Sequence, residues 1–229
     1  PTSPLYLPTS PRRLPCISLH LALAEDAHGV PPFAPIPPLD DRGRLVELWP
    51  CLQSFDHDLV AHPVPRVSSV VTGGGGVLGG AIARKLAADG AKLFLFDIRA
   101  KYAEKNVAEI VAAGGSAVPV GLDITQAEEV RKQVDTIASD YGRIDILVNC
   151  AGGSARKKMK YFHEQSLDVI RDVIGMNLFG TIHCAHAVSR HMVEAGSGKI
   201  INIGSAVGVN GLEKSVDYAA AKGAIISGT

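Results

Sequence analysis

A parallel α/β sheet with helices on both faces is the fold the sequence predicts for residues 66–229. Three observations predict it. From Val67 onward, short β-type runs alternate with helical stretches. The first run stops at four consecutive glycines, Gly73 to Gly76, and the second stops at an acid, Asp97. Composition also changes abruptly before this region. Thirteen of the 14 prolines fall in residues 1–65, against only Gly29 and Gly43 of the 24 glycines, and the first lysine is Lys85.

The elements follow in order. Val67 to Val71 is a short strand running into the glycines, and Ala81 to Ala88 reads as a helix ended by Gly90. Lys92 to Phe96 is a buried-strand run. A helix over about Lys101 to Ala113 closes at Gly114-Gly115, and Ala117 to Leu122 is a third strand. Thr125 and Glu128 have capping-box spacing, opening a helix to about Tyr141. Ile144 to Val148 is the fourth strand. A long helix, in one or two pieces, covers Leu167 to Ala195; Lys199 to Ile203 is the fifth strand, and Asp217 onward is helical. Strand–helix alternation makes right-handed βαβ units, hence a doubly wound parallel sheet.

Residues 1–65 read differently. The run Pro31-Pro32-Phe33-Ala34-Pro35-Ile36-Pro37-Pro38 cannot be helix and would make a poor central strand, because proline lacks an N–H donor. The segment is expected to be a largely irregular, Pro-rich extension. Arg12-Arg13 followed by Leu14 to Ala24 faintly has the shape of a secretory leader, but the apolar part is short and holds Ser18 and His20. The chain begins with Pro1, so it reads as part of a longer frame.

Composition narrows the function classes. Of the 229 residues 46% are hydrophobic and 20% charged, which is globular composition. Lys+Arg 23 balances Asp+Glu 23, so a polyanion is a poor first partner and nucleic acid is not expected. No run approaches the roughly 18 apolar residues a membrane span needs. Cys16, Cys51, Cys150 and Cys184 are scattered, without CxxC spacing; a reducing, cytoplasmic setting fits.

Chemistry gathers at three places. Thr72 to Gly79 lies between a strand and a helix, where glycines let a pyrophosphate approach the backbone and the helix N-terminus faces its charge. Asp97 ends the next strand, 24 residues after Gly73. A carboxylate there accepts hydrogen bonds from ribose hydroxyls and repels a 2′-phosphate, which favours NAD; Arg99 nearby leaves NADP open. Second, Tyr218 and Lys222 are spaced i, i+4 and share a helical face. A phenol ionises near pH 10, and an adjacent ammonium brings that proton within reach of neutral chemistry. Third, Ser205 follows the fifth strand, 13 residues before Tyr218; its bland reading is a helix cap.

Together these residues resemble the short-chain dehydrogenase/reductase family, over about Val67 to Thr229, with motifs in the family's order. The fold implied is Rossmann-type. Thr72 to Gly79 is similar to the cofactor loop, implying contacts from Gly73, Gly76, Leu78 and Gly79. Asp123-Ile124 is similar to the segment that meets the adenine. Asn149-Cys150-Ala151-Gly152 is similar to the Asn-Asn-Ala-Gly turn, with Asn149, Ala151 and Gly152 at the cofactor. Asn177 falls on the helix asparagine that holds a proton-relay water. Ser205, Tyr218 and Lys222 fall on the catalytic serine, tyrosine and lysine. The resemblance implies hydride transfer between a nicotinamide and a small alcohol or carbonyl compound. Tyr218 is then the acid/base, Lys222 also binds the nicotinamide ribose, and Ser205 orients the substrate oxygen. It further implies a homo-oligomer, a dimer or tetramer built on the long helices. No metal is expected, because His183 and His186, spaced i, i+3, have no third ligand placed beside them.

Three departures qualify the resemblance. Val77 stands where the shorter-chain branch has glycine, and Gly73-Gly76-Gly79 has the spacing of the extended branch of sugar-nucleotide epimerases and dehydratases, but the turn at Asn149 to Gly152 is typical of the shorter-chain branch, to which the resemblance assigns the chain. Cys150 replaces the second asparagine. The chain ends at Thr229, seven residues after Lys222, so the last strands and substrate lid are expected to lie beyond it. The alternative is a non-catalytic fragment that only binds dinucleotide, with an exposed sheet edge. Other features have bland readings first. His183, His186 and His191 share a surface or interface helix, and Cys150 and Cys184 are small buried residues. Arg156 to Lys160 is read as a solvated loop, with attraction of an anionic substrate or a carrier protein's acidic helix as the functional alternative.

Overall fold

Each expected strand forms, within a residue or two of the position its hydrophobic run gives. The computed structural model describes residues 16–19 and 67–229, all in one of the two units into which the chain divides, the other being residues 22–65. Strands β2 (Ser68–Thr72), β3 (Lys92–Asp97), β4 (Ser116–Gly121), β5 (Ile146–Asn149) and β6 (Lys199–Ile203) are all parallel. A sixth strand, β1 (Cys16–Leu19), pairs in parallel with β6, Cys16 opposite Ile200 and Leu19 opposite Ile203. The sheet order is β1-β6-β5-β2-β3-β4. The exposed β6 edge that the fragment reading entails is therefore covered, by residues of the Pro-rich extension where no strand is expected. The remaining expectations for residues 1–65, the proline run among them, lie outside the described residues, as does the leader-like segment apart from Cys16–Leu19.

Residues of β2 are buried on both faces, so the run Ser68 to Thr72 shows no alternation of exposed and buried positions, and its polar members Ser68, Ser69 and Thr72 are small. On one face Val70, Phe94, Phe96 and Leu147 pack with Val130, Val134 and Ile137 of helix α3 (Ala127–Tyr141) and Cys184, Val188 and Met192 of α5 (Gly180–Ala195). Each such side chain contributes about 1.5–3 kcal/mol on burial. Helices α1 (Val77–Ala88) and α2 (Ala100–Ala112) pack on each other and on β3. Pro119 sits in β4, at the sheet's edge, where a missing N–H costs least.

Two local expectations are corrected and a third is refined. Helix α1 starts at Val77, a turn earlier than helix propensity suggests, because Gly79 and Gly80 are needed for close packing rather than penalised as helix breakers. The Thr125–Glu128 capping box does not form. Gln126 is the N-cap of α3, Thr125 donates its hydroxyl to Asp123 (2.7 Å), and Glu128 pairs instead with Arg131. The long helix is broken by a π-helical turn over Gly175–Phe179, joining α4 (Leu167–Ile174) to α5. Two more helices follow β6: α6 (Val207–Asn210) and α7 (Val216–Ser227).

The chain winds from β2 outward to β3 and β4, then returns across β2 to β5 and β6. The direction reverses between β2 and β5, whose last residues, Thr72 and Asn149, are register partners. A crevice forms at the carboxyl ends of the strands at such a switch point. No helix among the described residues is long and apolar enough to cross a membrane.

Candidate active site

The residues singled out in the sequence converge on that switch point. Thr72 ends β2 with its hydroxyl accepting hydrogen bonds from both Cys150 N–H and Ala151 N–H, each at 3.0 Å. This ties the glycine loop to the turn after β5. Gly73 turns the chain with φ +67°, and a Cβ there would lie 2.9 Å from the Ala151 backbone. At Gly79 a Cβ would collide with the Gly73 carbonyl oxygen. Gly76 is the N-cap of α1, and Leu78 is half-buried in its first turn. That turn has no side-chain cap and no acidic residue, so its free N–H groups and dipole suit an anion. Val77 is 92% exposed at the helix start. Its side chain projects into solvent, so a non-glycine residue is accommodated without disturbing the loop.

Asp97 is bound into the same loop. One carboxylate oxygen accepts the Gly75 N–H at 3.0 Å and the other accepts the N–H of Ile98 at 2.9 Å. A further support was not read from the sequence. Asn106, on α2 and nearly buried, donates to the Gly74 carbonyl at 2.7 Å and more weakly to that of Gly76 at 3.4 Å. Its own carbonyl accepts from Arg84 of α1 at 2.8 Å, and Arg84 also pairs with Glu109. A buried amide among helical alanines was the only signal available. Asp123 accepts from the Thr125 N–H and hydroxyl, shaping the turn after β4. Ile124 is buried against Gly180, and its carbonyl lies 3.0 Å from His183 Nδ1, which fixes the imidazole proton on that nitrogen.

The other half of the site surrounds the turn after β5. Asn149 donates to Asn202 (3.0 Å) and to the Thr181 carbonyl (3.4 Å); its own buried oxygen has no partner. Asn177 is fully buried in the π turn. Its amide brackets Gly153, accepting the N–H at 3.0 Å and donating to the carbonyl at 2.9 Å, and it also donates to the Val173 carbonyl. Insertion of one residue in a π turn lets a side chain leave the regular helical register, which aims Asn177 at the loop. Gly152 lies between Asn177 and Lys222: a Cβ there would meet Asn177 and lie 3.6 Å from the lysine Nζ.

Ser205 follows β6 and accepts the Val207 N–H at 3.3 Å, a turn bond rather than a helix cap, since Ala206 is the N-cap of α6; its own proton is left free to donate. Tyr218 and Lys222 lie on one face of α7, with the ammonium 5.8 Å from the phenol ring centroid. Lys222 is 5% exposed and donates to the Ile203 carbonyl at the end of β6, at 2.6 Å. Burial holds its pKa below the ordinary lysine value. The same burial pushes the Cys150 thiol up to about 11 and that of Cys184 to about 12, so neither is a thiolate near neutrality. The structure thus draws Ser205, Tyr218, Lys222 and Asn177 to one end of the sheet beside Gly152, with the glycine loop and Asp97 on the adjoining strands.

A buried ammonium bonded to a single carbonyl, an uncapped helix start and glycines packed against backbone together fit a dinucleotide. Gly73, Gly76 and Gly79 would hold its pyrophosphate, Asp97 its adenosine ribose and Lys222 its nicotinamide ribose.

Comparison with known proteins agrees. The chain is 41% identical over 157 residues to the short-chain reductase protein NovJ of Streptomyces niveus, covering 69% of this chain and 58% of that one. A crystal structure of NAD+-bound xylitol dehydrogenase superposes with a TM-score of 0.68 at 34% identity, over 71% of this chain and 62% of that chain. A metagenomic short-chain oxidoreductase in complex with NADP matches with a TM-score of 0.66 at 31% identity, over 71% and 74%. The chain spans about three-fifths of the length of the curated relatives it matches. The family model for short chain dehydrogenase matches residues 68–229, and the chain belongs to that family.

Proposed function

We propose that the protein is a nicotinamide-dependent oxidoreductase that interconverts an alcohol and a carbonyl compound. The observation that carries the reading is Lys222. An ammonium this buried, with one carbonyl and no carboxylate as its recorded partners, is costly unless it serves a ligand and a neighbouring acid. Its neighbour one turn away is Tyr218.

In the oxidising direction the substrate hydroxyl gives its proton to the Tyr218 oxygen while its carbon gives up hydride. The bound nicotinamide dinucleotide supplies the hydride acceptor at C4. Lys222 stabilises the tyrosinate by its charge, and Ser205 donates its free proton to the substrate oxygen. Asn177 holds Gly153 and with it the wall of the site; relay of the proton through water at this turn belongs to the same proposal. The position of Asp97 favours NAD, since its carboxylate stands where a 2′-phosphate would be repelled. The xylitol dehydrogenase likeness supports a small alcohol or carbonyl substrate. Exposed Phe179 at the end of the π turn and Ile182 and Val193 on α5 support self-association through the long helices. A cytoplasmic setting agrees with the scattered cysteines.

Titration with NADH and NADPH, monitored by nucleotide fluorescence, tests the cofactor half. Saturable NADH binding, weakened about tenfold or more in Asp97→Ala and tighter than NADPH binding, is expected. Tyr218→Phe is expected to bind NADH as the wild type does and to lose turnover by about 10²–10⁴-fold. Absence of NADH binding in the folded chain overturns the reading. Binding without turnover of any alcohol or carbonyl compound leaves a dinucleotide-binding protein.

A further inference from the structure

Two loops frame the catalytic residues. One leaves Gly153, clamped by Asn177, and runs through a short 3-10 turn at Arg156–Lys158 to Tyr161. The other leaves α6 at Gly211 and reaches Tyr218 through Lys214. A ring contact joins them: the Lys214 ammonium lies 4.3 Å from the centroid of the Tyr161 ring. Tyr161 is itself stacked on His163, with ring centroids 6.1 Å apart. At the base of the first loop a Cβ on Gly152 would meet Asn177 and lie 3.6 Å from the Lys222 ammonium; farther along both loops, at what we call the rim, Lys214 lies over Tyr161.

The rim carries the strain of the molecule. Among the described residues only two non-glycines have positive φ, Ala155 at +50° and Lys214 at +61°. One lies in each loop. A lysine in this backbone conformation is uncommon, and residues held so cluster where position matters to function. What is being held is a cation. An aromatic face fixes an ammonium without neutralising it, so its N–H donors stay available to a ligand.

Charge at the rim has one sign. Lys157, Lys158, Lys160 and Lys214 are all exposed, and none has a carboxylate partner among the described residues. Of the neighbouring acids, Glu164 lies 3.7 Å from His163 and Glu213 pairs with none of these lysines. A rim of this kind focuses field on whatever enters.

We propose that Lys214, seated on Tyr161, binds a carboxylate of the substrate, and that the substrate is accordingly a hydroxy acid or oxo acid rather than an uncharged polyol. The proposal rests on the redox reading above, and it makes Lys214 a specificity-determining residue. Lys157, Lys158 and Lys160 raise the local concentration of the anion without contacting it specifically.

Calorimetry on the full chain, with and without saturating NADH, tests this with matched probes: gluconate against glucitol, and 3-hydroxybutyrate against 1,3-butanediol. At least one acid is expected to bind tenfold or more tightly than its neutral counterpart. That preference is expected to shrink as salt rises, to vanish in Lys214→Gln and to return in Lys214→Arg. Tyr161→Leu, which keeps the charge and removes its seat, is expected to lose part of the preference. Far-UV circular dichroism establishes that each variant is folded. Equal binding of acid and neutral partner, binding of neither, or a preference that survives in Lys214→Gln overturns the proposal. Failure to bind NADH counts instead against the redox reading, since acid binding is read separately without the nucleotide.

Discussion

The cofactor side and the substrate side of this site are built on opposite plans. Around the glycine loop nearly every polar group is paired across elements: Thr72 to the β5 turn, Asp97 to Gly75, Asn106 to Gly74, and Arg84 to Asn106. Glycines there abut backbone with no room for a methyl group. Around Ser205 and Tyr218 the loops are largely exposed, are joined by a ring contact and hold two residues in left-handed conformations. On the proposed function, the difference follows from what each side must bind. A pyrophosphate and two riboses have one shape, so a pre-formed cradle loses nothing by rigidity. The reacting substrate must enter and leave, and loops with few buried contacts open at low cost.

Four variants at three positions bear on this comparison. Gly79→Ala is expected to do the most damage, because its new methyl would run into the Gly73 carbonyl oxygen, a backbone atom that cannot swing aside. A loss of about 3 kcal/mol of stability and of measurable NADH binding is expected, read by thermal melts and fluorescence titration. Retained NADH affinity would show that the cradle is more pliant than its packing implies.

Lys222→Met separates function from stability on the other side. Turnover is expected to fall about a hundredfold or more, while the melting temperature at neutral pH stays level or rises, since an isolated buried charge is removed. The pH dependence follows from the sign of the shift. A folded-state pKa below the ordinary lysine value of 10.5 means that the unfolded chain binds the extra proton between the two values. Wild-type stability relative to the variant is therefore lowest at neutral pH and rises as pH climbs toward 10.5. A flat difference in melts across that range would contradict the assigned burial cost.

Asn106→Leu is expected to be milder. It leaves the Gly74 carbonyl and the Arg84 guanidinium without their shared partner, costing about 1–3 kcal/mol, and should weaken NADH roughly tenfold with little change in the turnover of saturated enzyme. Asn106→Asp keeps the acceptor for Arg84 but not the donor to Gly74, so it should restore stability more than NADH affinity. Equal recovery of both would mean that Asn106 acts only through the α1–α2 contact.

Much of this molecule was legible along the chain. The five strands from Ser68 onward, the helices between them and the positions of Gly73, Asp97, Ser205, Tyr218 and Lys222 were read from local pattern, because periodicity, turn glycines and i, i+4 spacing join residues close in sequence. Even the failures there were local. The capping box at Thr125 lost to a nearer acceptor, Asp123, two residues away. What tertiary structure alone decided spans long separations. Thr72 meets Cys150 and Ala151 across 78 and 79 residues, Asn106 meets Gly74 across 32, and Lys214 finds Tyr161 from another loop. Strand β1 pairs with β6, Cys16 opposite Ile200, from the opposite end of the chain. Sequence by itself determined which groups are present and which elements carry them. Only the closing of the sheet, which sets β2 beside β5 and brings the strand ends into one crevice, decided which of those groups touch.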